Sequence, residues 1–272
     1  MISSPYTKRM NAIMDVDQAA AVVIVSDKYL EASGKRSQAA AILGGAGAEE
    51  IWNPMQRRSL SICIGMEVAF EAALASAGVS VEDIDAFDFY SCFPVPVELA
   101  LDTLEISTND PRPFSLTGGL AYGGGPGNNY VMHSLATAVQ HLRDNRKELI
   151  MITGVGMANT KHTATILAAA DKVPSKATGK TVYRLTTGDQ EVPVAMEASG
   201  TCTIATYTIE YNREGEPTNV IYILDTAAGE RAIANARHPA AVAPELLASD
   251  PIGRLGELSW DAELGRQFFA LD

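Results

Sequence analysis

The apolar residues of this 272-residue chain keep two different rhythms, and the change between them near residue 170 fixes most of what the chain can fold into. Before it, strand-like and helix-like signals alternate. Ala19–Ser26 and Ala39–Gly45 are continuous runs of small apolar residues, the pattern of strands buried inside a sheet. Ser61–Ala77 instead places Met66, Phe70, Ala73, Leu74 and Ala77 at helical intervals and stops at Gly78. A short strand is predicted over Ala86–Tyr90, a helix over Val97–Leu104, a second helix over Tyr130–Arg143 and a buried strand over Glu148–Thr153. Strands separated by helices imply a layered α/β domain, here residues 1–170. Asp171–Lys180 carries Pro and Gly among polar residues and reads as a linker or exposed loop. From Val182 the period becomes two. Ser199–Tyr211 alternates, Asn212–Glu216 is a turn cluster and Asn219–Asp225 is the returning strand of a hairpin. Gly229–Asn235 and Ile252–Trp260 add strands, with a short helix at Pro244–Ala248, so residues 180–272 are expected to form a small all-β domain, a barrel.

Composition narrows the function classes. The chain is 47% hydrophobic and 20% charged, ordinary for a globular protein, and its formal charge of -12 repels polyanions, which argues against nucleic acid as a partner. Three cysteines, Cys63, Cys92 and Cys202, have no metal-ligand spacing and suggest reduced thiols; no metal and no tightly bound cofactor are expected. No apolar stretch approaches the roughly 18 residues of a membrane span, and the first ten residues lack the apolar core of a signal peptide. A cytoplasmic location without membrane contact is expected. The opening, with an apolar run soon after Pro5, reads like the middle of a longer protein.

Gly118–Gly127 holds six glycines in ten positions and runs through Asn128 and Asn129 into a helix. Such a loop lets a ligand approach the backbone, and the N–H groups at the helix start attract an anion or a carbonyl. No Gly-Lys-Ser/Thr ends it and no clear strand precedes it, so it is neither a nucleotide P-loop nor a dinucleotide fingerprint. The other reading is that the glycines only let two layers pack closely. Tyr90-Ser91-Cys92-Phe93-Pro94 lies at a strand end, where α/β sheets display functional groups. Its thiol or phenol could act as nucleophile or acid, although a lone cysteine is commonly core. His133 and His162 each follow a glycine-rich turn and are candidate bases, whereas His141 and His238 read as surface residues. Cys63-Ile64-Gly65 falls within an apolar helical repeat, where the thiol is expected to be packing material.

Taken in order, these segments resemble the C-terminal half of the thiolase superfamily, in the branch related to the sterol-carrier-protein thiolases and often called acetyl-CoA acetyltransferases. The resemblance spans residues 1 to about 168. Asp17-Gln-Ala-Ala-Ala-Val-Val-Ile-Val-Ser26 is similar to the family's DGAAAVVL-S strand, and Tyr90-Ser-Cys-Phe93 stands where that branch has HDCF. Thr117-Gly-Gly-Leu-Ala-Tyr-Gly-Gly-Gly-Pro126 resembles the SGG and GHP segment, and Ile152-Thr-Gly154 falls where CxG is expected. Residues from about 180 to 272 are similar to the additional OB-like C-terminal domain of certain thiolase-like proteins, and Thr160-Lys-His162 fits that subgroup.

The resemblance implies a thiolase-type layered α/β C-terminal half followed by a small all-β OB-like domain. It also implies a coenzyme A thioester as substrate or ligand, and either a homo-oligomer or a partner that supplies the N-terminal thiolase half. Family thiolases acylate a cysteine of that N-terminal half, with the GHP histidine and the CxG cysteine moving protons. Here the GHP histidine is replaced by Gly125, the CxG cysteine by Ile152 and the HDCF histidine by Tyr90. Ordinary thiolysis by this chain alone is therefore not expected. Gly118, Gly119, Gly124, Gly125, Pro126 and Gly154 are the residues expected to line an acyl-thioester site, with Tyr90, Cys92, His133 and His162 as candidates for chemistry. A non-catalytic CoA-binding or scaffolding subunit and an acyl-CoA retro-aldolase half-enzyme are the alternatives.

Overall fold

The computed structural model describes residues 1–272 apart from the side chain of Arg184. The chain forms two compact units, one of Asn11–Trp52 and Ser61–Gly188, the other of Met1–Met10, Asn53–Leu60 and Asp189–Asp272.

In the first unit α1 (Asp27–Ser33) precedes β1 (Ala40–Glu49), α2 (Ile64–Ala77), β2 (Ala86–Asp88), α3 (Pro94–Thr103), α4 (Tyr130–Asp144), β3 (Leu149–Gly156), β4 (Lys161–Ala169) and β5 (Thr181–Thr186). The strands make one mixed sheet in the order β2-β3-β4-β1-β5. β2 runs parallel to β3 and β5 parallel to β1, while β4, between β3 and β1, is antiparallel to both. Alternation divides the strands between two apolar faces. Phe87, Phe89, Met151, Ala164 and Ile166 pack with Met66, Phe70 and Ala73 of α2 and with Ala100 and Leu101 of α3. Ala86, Ile150, Ile152 and Leu167 face the other way, onto Ala138 and Leu142 of α4. A helix layer on each face covers the sheet, as the layered α/β expectation requires.

Small residues set a close contact between β1 and α2. A Cβ on Gly44 would lie 2.3 Å from Ser76 Oγ and 2.4 Å from the Ala77 backbone nitrogen, so β1 and the last turn of α2 meet backbone to backbone. Gly78 ends α2 in the left-handed conformation at φ 69°, and its N–H donates to the carbonyls of Ala75 and Leu74.

Two local expectations fail. Ala19–Ser26 forms no strand; Val23 and Ile24 are 88% and 87% exposed, and Ser26 caps α1 by accepting from the Tyr29 N–H. An apolar run becomes a strand only where neighbouring backbone pairs with it, which its own residues cannot supply. Thr181–Thr186, expected within the small β domain, instead joins the first sheet alongside β1.

The second unit is a closed barrel of β6 (Gly200–Tyr211), β7 (Pro217–Thr226), β8 (Arg231–Asn235), β9 (Leu255–Asp261) and β10 (Arg266–Leu271), with α5 (Pro239–Ala248) between β8 and β9. β6 pairs with β7 and β9, β7 with β8, and β10 closes the barrel antiparallel to β9 and parallel to β8. Five strands in this order, with a helix between the third and fourth, have the OB arrangement. Ile204, Ile209, Val220, Tyr222, Leu224, Leu258 and Phe269 fill the interior, and Leu246 of α5 packs with them. Buried Arg231 holds 53–60 to the barrel by donating to the carbonyls of Met55, Arg57 and Arg58 while pairing with Asp225. Backbone bonds between Ser4 and Ile209 and between Tyr211 and Ile2 attach the first residues to β6.

Candidate functional site

The α4 side of the sheet is organised around Asp88, the last residue of β2 and fully buried. Its Oδ2 accepts from Leu116 N at 2.7 Å, Thr117 N at 2.8 Å, Thr117 Oγ1 at 2.9 Å and Ser115 Oγ at 3.3 Å, and its Oδ1 accepts from Ser134 Oγ at 2.7 Å. A buried carboxylate needs such donors to offset its lost hydration. In return they fix the approach to the glycine loop against β2 and α4. Thr117 spends its single hydroxyl proton on Asp88, so Tyr130, the first residue of α4, donates to Thr117 Oγ1. Burial first, and then the Asp88 charge, push the Tyr130 phenol up to about 12.

Beyond Asp88 the chain presents Tyr90, whose ring meets that of Tyr130 edge-on at 5.5 Å and whose N–H donates to Thr153 Oγ1 at 2.9 Å. Ser91 Oγ accepts from Leu120 N at 3.1 Å, and a Cβ on Gly119, at φ 81°, would stand 2.9 Å from that same oxygen. The Tyr90-Ser91-Cys92 segment and the glycine loop are thus directly apposed. Residues 12–18 lie along the loop as well. Ala12 N donates to Cys92 O, Ile13 N to Leu120 O and Gly125 N to Ile13 O, and Gln18 Nε2 donates to Gly123 O. A Cβ on Gly124 would come within 2.5 Å of Gln18 Nε2, and one on Gly125 within 3.1 Å of Ala12 Cβ. Pro126 precedes the single 3-10 turn that leads into α4, while Gly118 faces open space.

The electrostatics favour protonated groups. Burial pushes the Cys92 thiol up, opposite to an activated nucleophile, and it raises the half-buried Tyr90 phenol too, with Cys92 adding to the shift. Tyr90 is therefore suited to donating a hydrogen bond at neutral pH, not to removing a proton. His133, half-buried on α4, has Nε2 3.4 Å from Asn129 Nδ2. Gly154 lies within β3, where a Cβ would meet Thr163 Oγ1 at 2.6 Å and Val131 Cγ2 at 3.1 Å, so its bare backbone serves the packing of β4 and α4 on β3. Ile152 is buried on the same face.

His162 is not with these residues. It pairs with Val155 across β3 and β4, on the face opposite Asp88 and two residues before Ala164 of the α2 core. There His162 Nε2 lies 3.1 Å from Cys63 Sγ, and Cys63 Sγ lies 3.1 Å from Glu50 Oε2. All three side chains are buried. Cys63 was expected to be helix packing, but α2 begins at Ile64 and places Cys63 at its N-cap. The useful sequence signal was that the helical spacing starts only at Met66; no signal marks Glu50 as buried.

No curated protein matches the sequence. Residues 184–263 match the family described as the thiolase-like protein type 1 additional C-terminal domain. The crystal structure of a monomeric SCP2-thiolase like protein type 1 from Mycobacterium smegmatis superposes on all of this chain with a TM-score of 0.84 at 29% identity. The chain has the fold of an SCP2-thiolase-like protein. It spans 59% of that relative's length. Human mitochondrial 3-ketoacyl-CoA thiolase overlaps 53% of this chain and 34% of its own, with a TM-score of 0.42 at 19% identity. Among the described residues no helix is long and apolar enough to cross a membrane.

Proposed function

We propose that this thiolase-like chain binds the acyl-thioester end of an acyl-CoA where Tyr90-Ser91-Cys92 abuts Gly118–Gly127, and that it does not itself carry out thiolysis. The observation that carries the reading is the apposition of the two segments through Leu120 N, Ser91 Oγ and the bare Gly119. Backbone at a helix start, with a phenol beside it, suits a carbonyl oxygen that needs donors. Gly118 and Tyr122 are exposed, so the thioester would enter along that edge of the loop.

The non-catalytic form of the proposal is supported by the proton inventory. Gly125 has no side chain, its N–H is engaged by Ile13, and the raised Cys92 thiol is a weak nucleophile. A retro-aldol step needs a base, and the raised Tyr90 phenol is a poor one at neutral pH.

Calorimetric titration of the full chain with acetyl-CoA tests the proposal. Binding is expected, and Tyr90→Phe should weaken it about 2- to 10-fold, the size of one lost hydrogen bond. With a 3-ketoacyl-CoA and free CoA, the purified chain should show no turnover above background. Absence of acetyl-CoA binding would overturn the site, and ordinary thiolytic turnover would overturn its non-catalytic character.

A further inference from the structure

The α2 face of the sheet holds a second cluster that the acyl-CoA reading does not use. We propose that Glu50, Cys63 and His162, with the backbone carbonyl of Asn159, form a closed structural zinc(II) site. This departs from the expectation of no metal, which rested on the spacing of cysteines alone.

Geometry is the first argument. One ligand atom from each of Glu50, Cys63 and His162 lies within 4.8 Å of the other two. Cys63 Sγ is 3.1 Å from each of the other two atoms, and the Asn159 carbonyl oxygen is 3.0 Å from His162 Nε2 and 3.9 Å from Cys63 Sγ. Zinc bonds of about 2.0 to 2.3 Å in a tetrahedron give donor-to-donor edges of roughly 3.3 to 3.7 Å. These four separations, 3.0 to 3.9 Å, lie within a few tenths of an ångström of those edges.

Donor chemistry is the second. A thiolate, an imidazole and a carboxylate suit zinc, whereas magnesium and calcium take all-oxygen sets. The thiolate and carboxylate together balance the divalent charge, so the loaded cluster is neutral. That matters because Glu50, Cys63 and His162 are only 4%, 4% and 1% exposed, and an unbalanced charge there is costly. The same burial leaves no position open to a substrate, which makes the site structural.

Three parts of the backbone converge to hold it. The β1–β4 register pairs Ala48 with His162 and Glu49 with Lys161, and the Glu50 N–H donates to Thr160 O at 2.8 Å. Gly65, in the first turn of α2, donates its N–H to Glu50 Oε2 at 3.3 Å; a Cβ there would lie 3.0 Å from His162 Cδ2 and 3.1 Å from Glu50 Cβ. Met157 and Asn159, at φ 57° and 50°, shape the turn between β3 and β4 that carries the fourth donor. Zinc would therefore tie the end of β1, the start of α2 and the β3–β4 turn together.

The test uses the full tag-free chain, purified and dialysed against metal-free buffer, with elemental analysis of bound metal. About one zinc per chain is expected in the wild type and in the Cys92→Ser control, and a near-complete loss in Cys63→Ser and His162→Gln. Because those two variants could misfold, cobalt(II) is also added to the metal-stripped wild type. A thiolate-to-cobalt charge-transfer band with the intense visible absorption of tetrahedral cobalt is expected, bleached by added zinc. A folded wild type with neither zinc nor that band, or a folded Cys63→Ser chain holding as much zinc as the wild type, would overturn the site.

Discussion

At the scale of single residues, Asp88 and Tyr130 govern the candidate acyl-CoA site. Asp88 gathers donors from three consecutive residues of the loop approach and from Ser134 of α4, and Tyr130 reaches the same network through Thr117. The Tyr130 phenol has a folded-state pKa of about 12 against an ordinary 10.0, because burial and the nearby Asp88 charge disfavour its ionised form. A raised folded-state pKa means that this contribution to stability is complete below pH 10 and is lost as pH climbs toward 12. Denaturant unfolding measured across that window should show a steep fall in stability, less steep in Tyr130→Phe. Tyr222 in the barrel, also raised to about 12, should keep part of the slope in that variant. An unchanged slope in Tyr130→Phe would contradict the Asp88-centred description. These couplings were not readable beforehand: the sequence singled out Tyr90 and Cys92 at a strand end, but nothing in it ties Asp88 to Thr117 and Tyr130.

At the scale of elements, the contact between β1 and α2 leaves no room for a side chain. Ser76 Oγ and the Ala77 backbone nitrogen occupy the space a Gly44 side chain would need. Gly44→Ala must push α2 away from β1, and a loss of about 1 to 3 kcal/mol is expected in denaturant unfolding. A neutral result would show that the helix can shift without cost. Elements whose own residues carry the signal were legible, as in the helical spacing of α2 with its Gly78 stop and the alternating β6–β7 hairpin. Elements whose state depends on a distant partner were not. Ala19–Ser26 has the composition of a strand but no backbone to pair with, and Thr181–Thr186 finds its neighbour in β1, more than a hundred residues earlier. The Glu50–Cys63–His162 cluster escaped for the same reason, since its members come together only through the β1–β4 register and the start of α2.

At the scale of the whole molecule, the chain divides into a layered α/β unit and an OB-type barrel, and segments 1–10 and 53–60 belong with the barrel although they precede it by more than a hundred residues. The change of apolar rhythm suggested the change of architecture but could not show that Arg231 would recruit the carbonyls of Met55, Arg57 and Arg58. The acyl-CoA proposal rests on the α/β unit alone. Its most direct test is amide hydrogen exchange of the full chain with and without saturating acetyl-CoA. Slower exchange is predicted at residues 90–92 and 118–127, including the Leu120 amide that donates to Ser91. Protection elsewhere, with those two segments unchanged, would contradict the proposed site.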